Sequence, residues 1–600
     1  MESSGSAGGG QPAGSGFTRA RCEPIVVLFA TAIFLTSIVS PPSLMDDVDA
    51  VQATIARNML QSGDWVTARL DGVVYLEKSP LKYWMIAACF RIFGVHDWAA
   101  RIPIAISAVL LCWVATRFAG WAMGARAGFY AGLSLATCVG LFLFTRVLIP
   151  DVVLTLAITV AMWAFLRALD PEEPRPRAWS LLFWASMAAG LLLKGLIAAV
   201  FPIAAGLIYL VATGQFRRAW KRLSPVSGVL VFLAIAAPWH VLATIRNPPY
   251  LDFTMHSEAG SYRGFFWFYF MNEHVLRFLN LRYPRDYNTV PRLYFWLFHL
   301  LWLFPWSVYL PAVAKLDFRA PDRASRARLL AVCWIGFVLG FFTLSTTQEY
   351  YSMPCYPAFA LLLGSALAAG GKWLRVGTRI AAAVAAIAFV AIALLLFEVR
   401  SLPAPGDISV ALTQNGGVYT LSLGHMADLT FRAFAYLKVP LAIAGVAALI
   451  GALGGFFLRG RAAFLSLAFM MALFFQAARL ALVAFDPYLG SHALATALLH
   501  APEGKLIVDD QYYSFSSVFF YSNRTALLLN GRVNNLEYGS YAPGAPKVFI
   551  GDTDFERLWK SSERYYLVAN GPSVPRLEKL AGKGNLHEVA ESGGKFLFGN

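Results

Sequence analysis

Apolar runs of roughly 20 residues recur from Pro24 almost to Phe485, and this repetition restricts the fold open to the chain more than any other feature. A helix of that length crosses a hydrocarbon layer about 30 Å thick, and within lipid it satisfies all of its backbone polar groups internally. The chain is 58% hydrophobic and 14% charged, whereas an ordinary soluble domain carries roughly 25% charged residues. No water-soluble globule hides that much apolar surface, so the chain reads as a polytopic α-helical membrane protein.

The net charge of +15 does not point to nucleic acid, because the basic residues sit in short clusters between apolar runs, as in Arg217-Arg218-Ala219-Trp220-Lys221-Arg222. Such clusters mark cytoplasmic loops and attract anionic lipid head groups. Alternating them with apolar runs predicts about thirteen crossings, at 24–41, 99–116, 127–145, 150–168, 180–193, 196–212, 224–243, 293–313, 329–346, 353–370, 380–397, 435–454 and 463–484. This scheme places the N-terminus in the cytoplasm and the tail outside. It also places Lys194-Gly195 at an outer turn between two short spans, where the charge avoids mid-bilayer.

Three regions follow. Residues 1–23, rich in Gly and Ser, read as a disordered cytoplasmic N-terminus; 24–486 form the transmembrane domain, with large outer loops at 42–98 and 246–292; and 487–600 form a soluble domain. The loop at 42–98 is rich in Trp and Tyr and is expected to lie against the bilayer surface. In the tail, Lys505 to Asp510, Ala526 to Leu529, Lys547 to Ile550 and Tyr565 to Val568 are short β-like runs between helix-capable stretches, which predicts a small α/β domain. Its tyrosines 512, 513, 521, 538 and 541 fit either a recognition surface or a core. No cysteine lies in the tail, which excludes a disulfide framework there.

Polar groups gather on the predicted outer face. Met45-Asp46-Asp47-Val48-Asp49 follows the first span, and its crowded carboxylates suit either a proton acceptor or the solvated start of a helix. In Glu77-Lys78-Ser79-Pro80-Leu81-Lys82 the lysines can bind a lipid phosphate or snorkel, while Glu77 can orient one of them or hold a metal. Arg146 and Asp151 bracket a short outer turn at a spacing that permits an ion pair. Glu273 and Arg277 stand four apart on a helix, with His274 pointing elsewhere as a ligand or as an interfacial histidine. There is no G-x-x-x-x-G-K-[ST] motif to argue for ATP.

These motifs, together with Ala56-Arg57-Asn58-Met59-Leu60, Gly63-Asp64-Trp65, Pro150-Asp151, Lys194-Gly195, Pro238-Trp239 and Glu273-His274-Val275-Leu276-Arg277-Phe278, resemble in order those of the GT-C polytopic glycosyltransferases. Within that superfamily the likeness is to protein O-mannosyltransferases and, more closely, to bacterial aminoarabinose transferases that act on lipid A. The resemblance implies a GT-C fold of about 13 transmembrane helices with a periplasmic α/β domain, in a bacterial inner membrane. It implies catalytic carboxylates at Asp46, Asp47 and Asp151, and donor or carrier-phosphate contacts from Arg57, Lys78, Lys82, Lys194, Arg277, Tyr350 and Tyr351. It further implies a divalent metal at Glu77 and His274. One departure is Gln348-Glu349-Tyr350, which stands where aminoarabinose transferases carry a Lys-Leu-Pro stretch.

The function expected is transfer of a monosaccharide, aminoarabinose-like, from an undecaprenyl-phosphate-like donor to lipid A, another lipid or an envelope protein, with inversion at the sugar carbon. The alternatives are a protein O-glycosyltransferase and a transporter or flippase of lipid-linked sugars. The second would need paired repeats or broken helices.

Overall fold

The computed structural model describes residues 19–39, 42–284, 289–345, 347–413 and 422–600. Of the stretch 1–23 expected to be disordered, residues 1–18 lie outside them and 19–23 instead open helix Arg19–Phe34. Among the described residues eight helices are long and apolar enough to cross a membrane, or nine if Arg292–Trp302 and Trp306–Val313, bent by 93° between them, count as one span. The chain is thus a polytopic helical membrane protein, but the thirteen expected crossings are corrected to eight or nine.

The reasons are local. The apolar part of the first helix is only Cys22–Phe34, and Ile197–Thr213 has 17 residues. Pro176–Lys194 spends two of its 19 positions on Arg177 and Lys194. The predicted span at 127–145 breaks into Ala125–Ala136 and Val139–Phe144. At that break Val139 N–H donates to Phe304 O at 3.3 Å and Trp306 Nε1 donates to Thr137 Oγ1 at 2.9 Å. The broken helix and the bent pair therefore satisfy each other's freed groups, which is how irregular backbone survives away from water. Length and mean hydropathy alone do not reveal such a break.

The tail forms a six-stranded sheet in the order Phe549–Ile550, Ala526–Leu529, Lys505–Asp509, Tyr565–Asn570, Lys595–Gly599, His587–Ser592. The first four strands run parallel and the last two close an antiparallel hairpin. That hairpin was not anticipated, although Gly593-Gly594 at its turn, both with positive φ, is the residue pair such turns demand. One sheet face packs Ile507, Leu529 and Leu567 on Phe555, Trp559 and Leu577 from the covering helices.

The loop at 42–98 folds as helix Val48–Ser62, a short hairpin at Arg69–Leu70 and Val73–Val74, and helix Leu81–Phe93. Ten of the fifteen residues of Val48–Ser62 are buried, and the tail domain covers them: Arg57 donates to the carbonyls of Phe519 and Phe520 at 3.1 and 2.7 Å, and Ala526 N–H donates to Asp71 Oδ1 at 3.2 Å. Tyr512, Tyr513 and Tyr538 are buried in this contact, so these three are packing residues.

Candidate active site

Asp46 and Asp47, adjacent in sequence, have opposite surroundings. Asp46 accepts from Lys595 Nζ at 2.8 Å, Ser491 Oγ at 2.6 Å and Ser517 N–H at 2.8 Å, so its carboxylate ties the outer loop to the tail domain. Asp47 is exposed, and its side chain makes no capping bond to helix Val48–Ser62. Its backbone sits at φ 67°, ψ −97°, a conformation that costs a non-glycine residue about 1–3 kcal/mol and concentrates at functional sites. The Asp47 N–H, donated to Tyr513 O at 2.8 Å, helps hold it there. Asp49 is buried, accepting from Leu148 N–H at 2.8 Å and facing Arg101 at 3.5 Å.

Beside this loop a dense ionic cluster gathers from six separate stretches of chain. Glu77 accepts from Lys78, from the Tyr75 hydroxyl and from Asn535 Nδ2 at 2.9 Å, with Arg277 3.9 Å away. Arg277 donates to Glu273 at 2.9 Å and to the Tyr351 hydroxyl at 2.9 Å. Arg282 joins Glu273 to Asn535. Lys194 meets Asp151 and lies over the rings of Tyr350 and Tyr351, at 5.1 and 4.9 Å from their centroids. Lys82, buried, donates to Gln52 and to Leu148 O. Asp151 therefore pairs with Lys194 and not with Arg146 as its sequence spacing allowed.

The electrostatics follow. Burial works to raise the Glu77 carboxyl, but Lys78, Arg282 and Arg277 outweigh it and hold the group ionised, well below the usual carboxylate range. Burial, reinforced by neighbouring Lys78, pulls Lys82 down to about 7. Lys78, Lys82, Lys194, Arg277 and Arg282 gather here around Glu77, Asp151 and Glu273, a concentration of cationic side chains suited to a phosphate.

Glu273, His274 and Arg277 come from a wide helical turn, the π-helix Trp267–Leu276, of the kind often retained at functional sites. His274 Nδ1 lies 2.6 Å from Tyr269 O, which can only accept, so Nδ1 carries the proton; Nε2 then accepts from Leu196 N–H at 3.1 Å. The Lys194-Gly195 turn is shaped around that ring. A Cβ on Gly195, whose φ is +97°, would stand 2.0 Å from His274 Nε2. Two motifs far apart in sequence thus form one joint.

Glu77 and His274, the expected metal pair, each have other partners here. Both nitrogens of His274 are bonded to backbone, Glu77 is surrounded by cations, and among the described residues no group of three or more His, Cys, Asp or Glu side chains could hold a metal. Arg57 is also absent from the ionic cluster, being bound to the tail carbonyls with its guanidinium over Phe520. Conversely, Arg282 and Asn535 belong to the cluster and gave no sequence signal, since each is an isolated residue outside any motif.

Residues 77–241 match the protein family described as dolichyl-phosphate-mannose-protein mannosyltransferase. Over nearly its whole length the fold is that of ArnT from Cupriavidus metallidurans bound to undecaprenyl phosphate, with a TM-score of 0.77, 22% identity and 97% of each chain covered. The chain is a membrane glycosyltransferase similar to these proteins. Curated relatives include the undecaprenyl phosphate-alpha-4-amino-4-deoxy-L-arabinose arabinosyl transferase of Erwinia tasmaniensis, 26% identical over 85% of this chain and 86% of the relative. The protein of the same name from Pectobacterium carotovorum is 26% identical over 71% of this chain and 72% of its own length. The GT-C match over 77–241 opens on Glu77-Lys78-Ser79-Pro80 and includes Asp151 and Lys194.

Proposed function

We propose that this GT-C enzyme transfers a 4-amino-4-deoxy-L-arabinose-type sugar from an undecaprenyl-phosphate carrier to lipid A or another envelope acceptor. The membrane is the bacterial inner membrane, with the N-terminus cytoplasmic and the tail domain periplasmic. The observation that carries the reading is the gathering of Lys78, Lys82, Lys194 and Arg277 in one cluster at the edge of apolar helices, where the head of a polyprenyl phosphate would lie.

In the reaction the acceptor oxygen attacks the anomeric carbon from the face opposite the carrier. The bond from that carbon to the carrier oxygen breaks, its electron pair stays on the phosphate, and the configuration inverts. Asp47 takes the proton when the acceptor is a hydroxyl. The four cations stabilise the charge that develops on the departing phosphate, and Tyr350 and Tyr351 flank it. Asp151 positions Lys194, and Asp46 acts through the fold alone. A metal on Glu77 and His274 would require His274 to release Leu196 N–H, and activity after exhaustive chelation tests that directly.

The decisive experiment incubates the purified full-length protein with undecaprenyl-phosphate-linked aminoarabinose and lipid A, reading the acceptor by mass spectrometry. A mass gain of one aminoarabinose residue is expected. Neither transfer nor donor cleavage with a folded protein would overturn the reading. Passage of intact donor across sealed vesicles would favour the flippase in its place.

A further inference from the structure

The short hairpin that leads into Glu77 forms one wall of a cavity outside the ionic cluster. Arg69 and Val74, paired across that hairpin, line it together with Arg246, Asn247 and Tyr262, and the tail closes it from Gly539 to Ala545. Glycine is required at 539, because a Cβ there would stand 2.1 Å from Val74 O and hold the tail off the hairpin. The cavity measures about 120 Å³. A water needs about 10–15 Å³ of such space, so about eight fit, which is the room that one monosaccharide ring takes up. Its polar groups have donors to spare. Arg69 donates to Gly72 O at 3.1 Å and has no carboxylate partner among the described residues. Arg246 donates to Asp64 at 2.9 Å while half of its side chain stays exposed. The Tyr262 hydroxyl, within the field of Arg69, has no hydrogen-bond partner among the described residues. Asn247 has its amide hydrogens committed to Thr67 Oγ1 and Ala243 O, and so shapes the wall.

These features select a ligand. Two guanidinium groups and one carboxylate, that of Asp64, leave a single net positive charge at the mouth. A single carboxylate balances that charge, and its two coplanar oxygens fit an arginine fork, whereas a doubly charged phosphate monoester would overshoot it. The Tyr262 ring offers an apolar face against which a sugar ring packs. A cationic sugar of the aminoarabinose type is repelled here, so the cavity is not where the donor sugar sits. It is nevertheless close to the reacting centre. Val74 stands three residues before Glu77, so their Cα atoms lie within about 11 Å of each other. Helix Asn534–Ser540, which supplies Gly539, also supplies Asn535 to the ionic cluster, and Asn247 borders a narrow gap whose other wall includes Lys78.

We propose that the cavity between Arg69 and Arg246 binds an acidic monosaccharide, one carrying a single carboxylate, and that in the working enzyme this sugar belongs to the acceptor. The acceptor role rests on the sugar-transfer reading above, whereas the carboxylate-sugar site does not. The test is saturation-transfer NMR of the full-length protein in detergent, titrated with methyl β-D-glucuronide and, separately, with methyl β-D-glucoside, glucose 6-phosphate and acetate. The glucuronide is expected to bind at least tenfold more tightly than each of the others, and R277Q to bind it as wild type does. R69Q and R246Q should each weaken it at least tenfold, and R69K should restore part of the loss. Both arginines are exposed, so these variants keep the fold. Equal affinities in wild type and R69Q, or a loss confined to R277Q, would overturn the site. Glucose 6-phosphate or acetate binding as tightly as the glucuronide would overturn its assignment to a carboxylate sugar. In the transfer assay R69Q is expected to raise the acceptor KM roughly tenfold with the donor KM little changed, and the reverse pattern would overturn the acceptor role. Because the NMR readout needs no turnover, absent transfer with intact glucuronide binding would count against the sugar-transfer reading alone.

Discussion

Lys194 and Asp151 form an ion pair in which only one carboxylate oxygen is engaged; the other, Oδ2, is buried without a hydrogen-bond partner among the described residues. Lys194 is also held over two tyrosine rings, so the pair is fixed from both sides. Removing the cation alone leaves a buried carboxylate uncompensated, at a cost of about 3–5 kcal/mol. K194M is therefore expected to lower the melting temperature and abolish transfer, while K194M/D151N recovers most of the stability and none of the activity. Recovery of both in the double variant would show that the pair is structural only.

The two neighbouring aspartates should separate by the kind of damage their variants suffer. D47N is expected to reduce turnover by about 10²-fold or more with donor KM little changed, as for loss of a group acting in the transition state. D46N should leave Lys595 buried without its partner and show first in thermal stability. A larger loss of turnover in D46N than in D47N, at equal stability, would reverse the assignment.

Arg277 contacts Glu273 and the Tyr351 hydroxyl through different nitrogens. Lysine cannot reproduce that fork, so R277K should raise the donor KM roughly tenfold, and Y351F, which removes only an acceptor of one bond, by less. Kinetics with donor varied at saturating acceptor would check the order of the two effects.

Asp71 gives a pH dependence. Burial pushes its carboxyl up to about 7, the Ala526 N–H only partly opposing this. The folded protein then binds more protons than the unfolded chain between the ordinary carboxylate value and about 7, so this contribution to stability is full below that ordinary value and is lost as pH rises through 7. D71N carries no titrating group, and Asn accepts the positive φ of 48° found there. Relative to D71N, wild type should lose up to about 3 kcal/mol between pH 5 and pH 8, since a tenfold difference in proton affinity between folded and unfolded chain is worth about 1.4 kcal/mol. Parallel melting curves for the two proteins at both pH values would refute it.

Asn535 supplies the tail's direct contact with the ionic cluster, its amide donating to Glu77 and its carbonyl accepting from Arg282. N535A is expected to raise the donor KM several-fold without altering the sheet. Truncation near Ser491 should then impair donor cleavage as well as transfer. A truncated, folded enzyme that cleaves donor at the normal rate would show that the tail serves the acceptor alone.

What the sequence disclosed followed the range of each signal. Loop charges and apolar runs are local, so the turn at Lys194-Gly195 was legible, as were the strands at 505–509 and 526–529. The Glu273–Arg277 pair follows from spacing along one helix. By contrast, the division between Asp46 and Asp47 depends on Lys595, Ser491 and Ser517, and the loss of Arg57 from the cluster depends on Phe519 and Phe520. No neighbouring residue carries that information. The break at Thr137–Cys138 escaped for the same reason, since the groups that satisfy it belong to Phe304 and Trp306.

The contacts from Lys595 to Asp46 and from Asn535 to Glu77 span 549 and 458 residues. During synthesis the loop that carries Asp46 and Glu77 is made long before these two partners. Closing so long a loop is slow relative to local folding. A chain terminated before Asn535 makes neither contact, and leaves Asp46 and Glu77 to find other compensation.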